Sequence, residues 1–307
     1  MTDAPLLAEN KDTPRGFAFA LSAYLFWGFL PLYMKAMAHL PTAEVIAHRV
    51  IWSVPVAGAI LIAIGRTAAL RQALLSPRML LMGMLTAALV SVNWGIYVWA
   101  IQTGHALDAA LGYYINPLFS VFLGAVVLRE KLDRTQQVAI ALAVLAVAVL
   151  TWEAGRLPLV ALGLTVTWGA YAYCKKMLPI GPNQGFMLEV LILLPVALAW
   201  VTWLWLNGES NFAAGVPSDT LLLLGCGLVT AGPLMVYANG AKLLRLSTIG
   251  ILQYIAPTMI FLTAVFLFGE PMGQGRMIAF PMIWAALILY TAALIRQSRT
   301  PARPAGG

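Results

Sequence analysis

Leu111 to Pro117 read LGYYINP, inside an apolar run of the length that crosses a membrane as a helix. Proline in a helix interior removes a backbone hydrogen bond, and its ring clashes with the carbonyl four residues back. Water cannot repair that loss in hydrocarbon. Leu252 to Pro257 read LQYIAP. Tyr114, Ile115 and Pro117 recur there as Tyr254, Ile255 and Pro257, each 140 positions later (254 − 114 = 140).

The interval persists. Tyr97 matches Tyr237, and Glu130 matches Glu270, at the same spacing. Each half thus has a proline followed thirteen residues later by a glutamate at a helix end. Trp27-Gly28 and Trp168-Gly169 match at 141, which places one extra residue in an intervening loop.

Composition sets the environment. Of 307 residues, 61% are hydrophobic and 10% charged, against roughly a quarter charged in soluble domains. So much apolar surface requires a polytopic membrane protein. The formal charge of +7 is spread between apolar runs rather than gathered in a patch, so it speaks of membrane topology and not of nucleic acid. Cys174 and Cys226 fall in or beside expected spans, which argues against a disulfide framework. The first apolar run follows a polar head and is long enough to span, so it is expected to stay in the membrane rather than be cleaved as a signal.

Ten runs meet the roughly 20-residue requirement. They lie near 16–37, 42–64, 79–101, 106–128, 135–152, 157–177, 185–206, 219–241, 247–268 and 274–295, joined by short connections. Fifteen basic residues fall on the side of the N-terminus, from Lys11 and Arg15 to Arg299 and Arg303. Lys35, Arg156 and Arg276 fall on the other side, and Arg49 lies within the second span. The positive-inside rule then puts both termini in the cytoplasm.

The expectation is an all-α membrane protein of ten transmembrane helices, arranged as two inverted five-helix repeats. Residues 1–15 form a cytoplasmic head, 16–152 the first repeat, 157–295 the second, and 296–307 a disordered cytoplasmic tail. An odd number of spans per half forces the halves to run in opposite directions, which is a hallmark of secondary transporters with sites near the midplane. Pro117 and Pro257 are read as helix kinks, either lining a cavity or serving packing.

The matched segments resemble the RarD branch of the EamA family, in the drug/metabolite transporter superfamily. The similar stretches are AYLFWGFLPLY (23–33), EVIAHRVIWS (44–53), NWGIYVWA (93–100), GHALDAALGYYINPL (104–118), LQYIAPT (252–258) and FGE (268–270). The resemblance implies a ten-helix permease of the bacterial inner membrane, made of two EamA units, that exports small metabolites or drugs. The branch name is tied to chloramphenicol sensitivity. Asp108 and Ala110 stand where the family pattern often has Glu and Ser, so specificity is open to difference there.

Aromatic and amide residues sit inside the matched spans rather than at their ends. Trp27, Trp94, Tyr97, Tyr114, Trp168, Tyr171, Tyr237 and Tyr254, with Asn93, Asn116 and Gln253, are candidates to line a substrate cavity. Helix packing with side-chain hydrogen bonds is the competing reading. Arg49 is a candidate for two-pronged carboxylate recognition, or for snorkelling. His48 and Glu189 are candidates for coupling, and His48 is equally a packing residue. Glu130 and Glu270 read as structural caps, each preceding the next helix, with gating as the alternative.

An intramembrane enzyme would need a motif such as HExxH or paired membrane aspartates, and a channel would need a charge ring or carbonyl filter. The chain shows none of these and no Walker A segment. No catalytic residue, metal, cofactor, nucleic acid or ATPase subunit is therefore expected. The expected partners are a small-molecule substrate and the lipid bilayer, with the chain a monomer or homodimer. Amino acids or related amphipathic compounds are the expected substrates, and a chloramphenicol-type drug the alternative.

Overall fold

The computed structural model describes residues 12–127, 132–241, 243–244 and 246–299, so Glu130 and the last eight residues lie outside the described residues. The first half contains α1 (Pro14–Ala36), α2 (Thr42–Ala63), α3 (Ala68–Leu75), α4 (Pro77–Gln102), α5 (Ala106–Val127) and α6 (Arg134–Ala154). The second contains α7 (Leu159–Met177), α8 (Pro182–Leu206), α9 (Pro217–Ala241), α10 (Leu246–Leu252), α11 (Ile255–Leu262), a π-helical turn (Thr263–Leu267) and α12 (Gln274–Arg299).

Local chemistry starts these helices. The Thr13 hydroxyl accepts from the Gly16 amide with Pro14 in the first turn of α1, and the Ser76 hydroxyl accepts from the Met79 amide ahead of α4. Asp133 and Gln136 form a reciprocal capping box on α6. Such side-chain acceptors satisfy amides that no preceding turn can reach.

Nine stretches among the described residues are long and apolar enough to cross a membrane. The sixth of the ten expected spans is not one of them. It is α7, whose 19 residues include Lys175, Lys176, two threonines and two tyrosines. The short connection after α2 carries α3, where an Ala/Leu/Arg/Gln run favours helix. The expected span 247–268 is not one helix. It breaks at Gln253–Tyr254, restarts as α11, and ends in the π-helical turn.

That break changes the reading of the prolines. Pro257 sits in the first turn of α11, where a missing N–H costs little because those amides lack helix partners anyway. Pro117 lies inside α5, which continues through it from Ala106 to Val127. The two motifs therefore share a sequence but not a local shape.

Packing joins the halves. α1 packs on α9 and α11, and correspondingly α7 packs on α4 and α5. α2 lies against α8 and α9, α8 against α2 and α4, and α6 against α12. Exchanging one half for the other maps these pairs onto each other, as two related halves across a pseudo-two-fold axis would. Gly227 allows α9 to meet the backbone of α2 at Trp52, where any Cβ would collide. Outward faces carry exposed Phe29, Val196, Phe266 and Ile288. An apolar surface this extensive belongs in lipid.

Candidate functional site

A cavity of about 200 Å³ lies between α1, α2, α4, α5, α7, α9 and the α10–α11 break. α1, α4, α5, α9 and the α10–α11 segment contribute residues three or four apart, hence one face of each. α1 supplies Tyr24 and Trp27, α4 supplies Asn93, Trp94 and Tyr97, and α5 supplies Tyr113 and Asn116. Thr230, Leu234 and Tyr237 follow the same spacing on α9, as do Gln253, Ala256, Pro257 and Ile260 across the break. Trp168 enters from α7 and Arg49 from α2.

Arg49 is 3% exposed. Its Nε donates to Thr230 Oγ1 at 3.1 Å, and its guanidinium lies 4.7 Å from the centre of the Trp94 ring. Its Nη1 has no protein partner. Tyr97, also 3% exposed, has an unpartnered hydroxyl, and Asn116, 7% exposed, leaves both amide atoms without partners. Buried polar groups are normally satisfied, so four such atoms on three residues that line one cavity require an explanation.

Two other amides are already engaged. Asn93 Nδ2 donates to Thr167 Oγ1 at 2.9 Å and to the Leu164 carbonyl at 3.2 Å, while its Oδ1 accepts from the Tyr113 hydroxyl at 3.4 Å. Gln253 Nε2 donates to the Gly250 carbonyl at 3.1 Å, repairing the end of α10. Tyr24, Trp27 and Tyr237 pack edge-on or tilted with centroids 5.4–5.6 Å apart, forming an aromatic wall.

Several candidates stand elsewhere. The Tyr114 hydroxyl is 2.7 Å from Thr258 Oγ1, and its ring meets Phe280 and Trp284 of α12. Tyr171 donates to Glu189 Oε2 at 3.2 Å, and Tyr254 packs against the core beside the break. Glu189 is fully buried and pairs with Lys175 at 2.6 Å, not with Arg49. His48 Nδ1 accepts from Trp52 Nε1 at 3.0 Å, and its ring stacks on Phe212. Neither His48 nor Glu189 lines the cavity.

Glu270 caps a helix other than the one expected. Its Oε1 and Oε2 accept from the amides of Ala106 (2.7 Å) and Leu107 (2.9 Å), at the start of α5 in the opposite half. Gly269, with φ +66°, makes the reversal that aims the carboxylate there. Nearby, Arg276 Nη2 pairs with Asp108 Oδ1 at 2.9 Å.

Sequence reasoning passed over Tyr24, Tyr113 and Thr230. The signal was helical spacing: Tyr24 precedes Trp27 by three, Tyr113 precedes Asn116 by three, and Thr230 precedes Tyr237 by seven. It also passed over Glu44, fully buried, whose carboxylate accepts from the Asn211 backbone amide (2.8 Å) and from Asn211 Nδ2 (2.6 Å).

Fold and cavity together define a multi-pass helical membrane protein with a solute-sized central chamber. The profile of the EamA-like transporter family matches residues 14–152. Protein RarD of Streptomyces exfoliatus is 39% identical over 292 residues, covering 95% of this chain and 92% of that protein. A transporter of Vibrio cholerae serotype O1 is 38% identical over 284 residues, covering 92% and 94%. A crystal structure sharing 19% identity covers 93% of this chain and 99% of its own at a TM-score of 0.59, a likeness of fold. The chain belongs to the EamA-like transporter family, in its RarD branch, and is a membrane transporter.

Proposed function

We propose that this transporter is a permease that moves small carboxylated metabolites, amino acids or related amphipathic acids, out across the bacterial inner membrane. Transport proceeds by alternating access around the central cavity, with both termini cytoplasmic. The observation that carries this reading is Arg49: a buried guanidinium, steadied by Thr230 and Trp94, with Nη1 unpaired on a cavity of aromatic and amide groups. A guanidinium so held is pre-organised for a carboxylate. The chain works without catalysis and without an ATPase subunit.

Cavity size bears on the rival drug-efflux reading. Drug-sized ligands occupy pockets of roughly 300–1,000 Å³, and this one measures about 200 Å³. A small acid suits it better than chloramphenicol.

The test is counterflow in proteoliposomes with amino acids, other small carboxylates and chloramphenicol. Saturable counterflow of a carboxylate is expected, and Arg49→Lys should weaken it at normal folding because lysine lacks the fork. Non-saturable flux would indicate a channel, and a product of altered mass an enzyme. Chloramphenicol as the sole counterflow substrate would replace this reading with drug efflux.

A further inference from the structure

We infer that the cavity selects a monoanion: a carboxylate on an apolar body carrying a neutral hydroxyl or amide, in preference to a zwitterion. This rests on the reading of the cavity as a carboxylate site and narrows the proposed substrates, placing hydroxy and amide acids ahead of free amino acids. Among the described lining residues Arg49 is the single charged one. The carboxylates that could have balanced an ammonium are committed elsewhere. Glu189 is held by Lys175, Asp108 by Arg276, Glu270 by the α5 amides, Glu44 by Asn211 and Asp219 by His39, and none of the five lines the cavity.

A ligand carboxylate neutralises Arg49. A free ammonium on the same ligand would leave its hydration shell to enter a chamber with no anion left for it. Desolvating a charge without a counter-charge is costly. The aromatic wall returns only part of that through cation–π contact.

A neutral hydroxyl or amide faces no such penalty, because it both donates and accepts. Asn116 carries this complement unpartnered, an Nδ2 donor and an Oδ1 acceptor, and the Tyr97 hydroxyl is also unpartnered. The four unpartnered polar atoms thus describe one ligand: Arg49 Nη1 for the acid, the other three for a neutral polar group.

Three acids of one skeleton test this by calorimetry on the purified full chain in detergent: 3-phenylpropionate, phenyllactate and phenylalanine. They differ only in hydrogen, hydroxyl or ammonium beside the carboxylate. Phenyllactate is expected to bind tightest, and phenylalanine about tenfold or more weaker. Asn116→Asp should narrow or reverse that gap. The cavity is small enough to put a carboxylate at 116 within Coulomb reach of any ammonium it holds.

Phenylalanine binding as tightly as phenyllactate overturns the inference. It leaves the carboxylate reading standing if Arg49→Gln still weakens both. Should 3-phenylpropionate match phenyllactate, the neutral polar group has no site and that half of the inference fails. If none of the three acids binds, the carboxylate reading fails and takes the inference with it.

Discussion

The carboxylate of Glu270 accepts the backbone amide of Ala106 at 2.7 Å, across 164 positions of chain and from one half of the protein to the other. With the second bond to Leu107 it closes two amides at the start of α5 that have no partner within the helix. Glu270→Ala should therefore lower stability by about 1–3 kcal/mol, the cost of leaving buried amides open. Glu270→Gln keeps one acceptor and should lose less. Thermal melts in detergent measure both, and an unchanged melt for Glu270→Ala would show that the contact contributes nothing.

Lys175 and Glu189 form a buried ion pair within the helical bundle, with Tyr171 as a further donor to the carboxylate. Removing one partner strands the other charge. Lys175→Met or Glu189→Leu alone should cost about 3–5 kcal/mol, and the double substitution far less. A double-mutant cycle of melting temperatures reads the coupling. Additive losses would mean that the two residues act separately.

Pro257 and Pro117 should no longer behave alike. Pro257 lines the cavity beside the Gln253–Tyr254 break, whereas Pro117 sits in a continuous helix and does not line it. Pro257→Ala allows α10 and α11 to join, which would shift Gln253 and Ala256 at the cavity wall. Transport should fall in Pro257→Ala at normal expression, and Pro117→Ala should stay closer to the parent. Equal losses in counterflow would return the two prolines to equivalent roles.

Topology is testable without a substrate. Reporters fused near Arg71 should read cytoplasmic, and those near Ser210 external, because fifteen basic residues gather on the side of Arg71. The reverse pattern would invert the whole assignment.

Hydropathy is a property of the local chain, so the apolar runs, the repeat of 140 and the mid-span aromatic residues were legible in the sequence. Trp27, Asn93, Trp94, Tyr97, Asn116, Trp168, Tyr237 and Gln253 could be singled out because polar and aromatic groups at that depth have few reasons to be there. Arg49 could be singled out because a charge in a span is costly. Each of these lines the cavity.

Which face of a helix meets the cavity was decided by packing alone. Tyr113 and Tyr114 are neighbours of identical chemistry. Tyr113 lines the cavity, while Tyr114 turns to Phe280, Trp284 and Thr258. On a helix apolar all round, no periodicity distinguishes the two faces. The same holds for Trp168, which lines the cavity, and Tyr171, which meets Glu189 three residues later. The partner of Glu270 and the break before Pro257 likewise depend on how α5 and the α10–α11 segment meet. Residues 164 positions apart become neighbours only when the two halves pack, and that contact leaves no local trace in the chain.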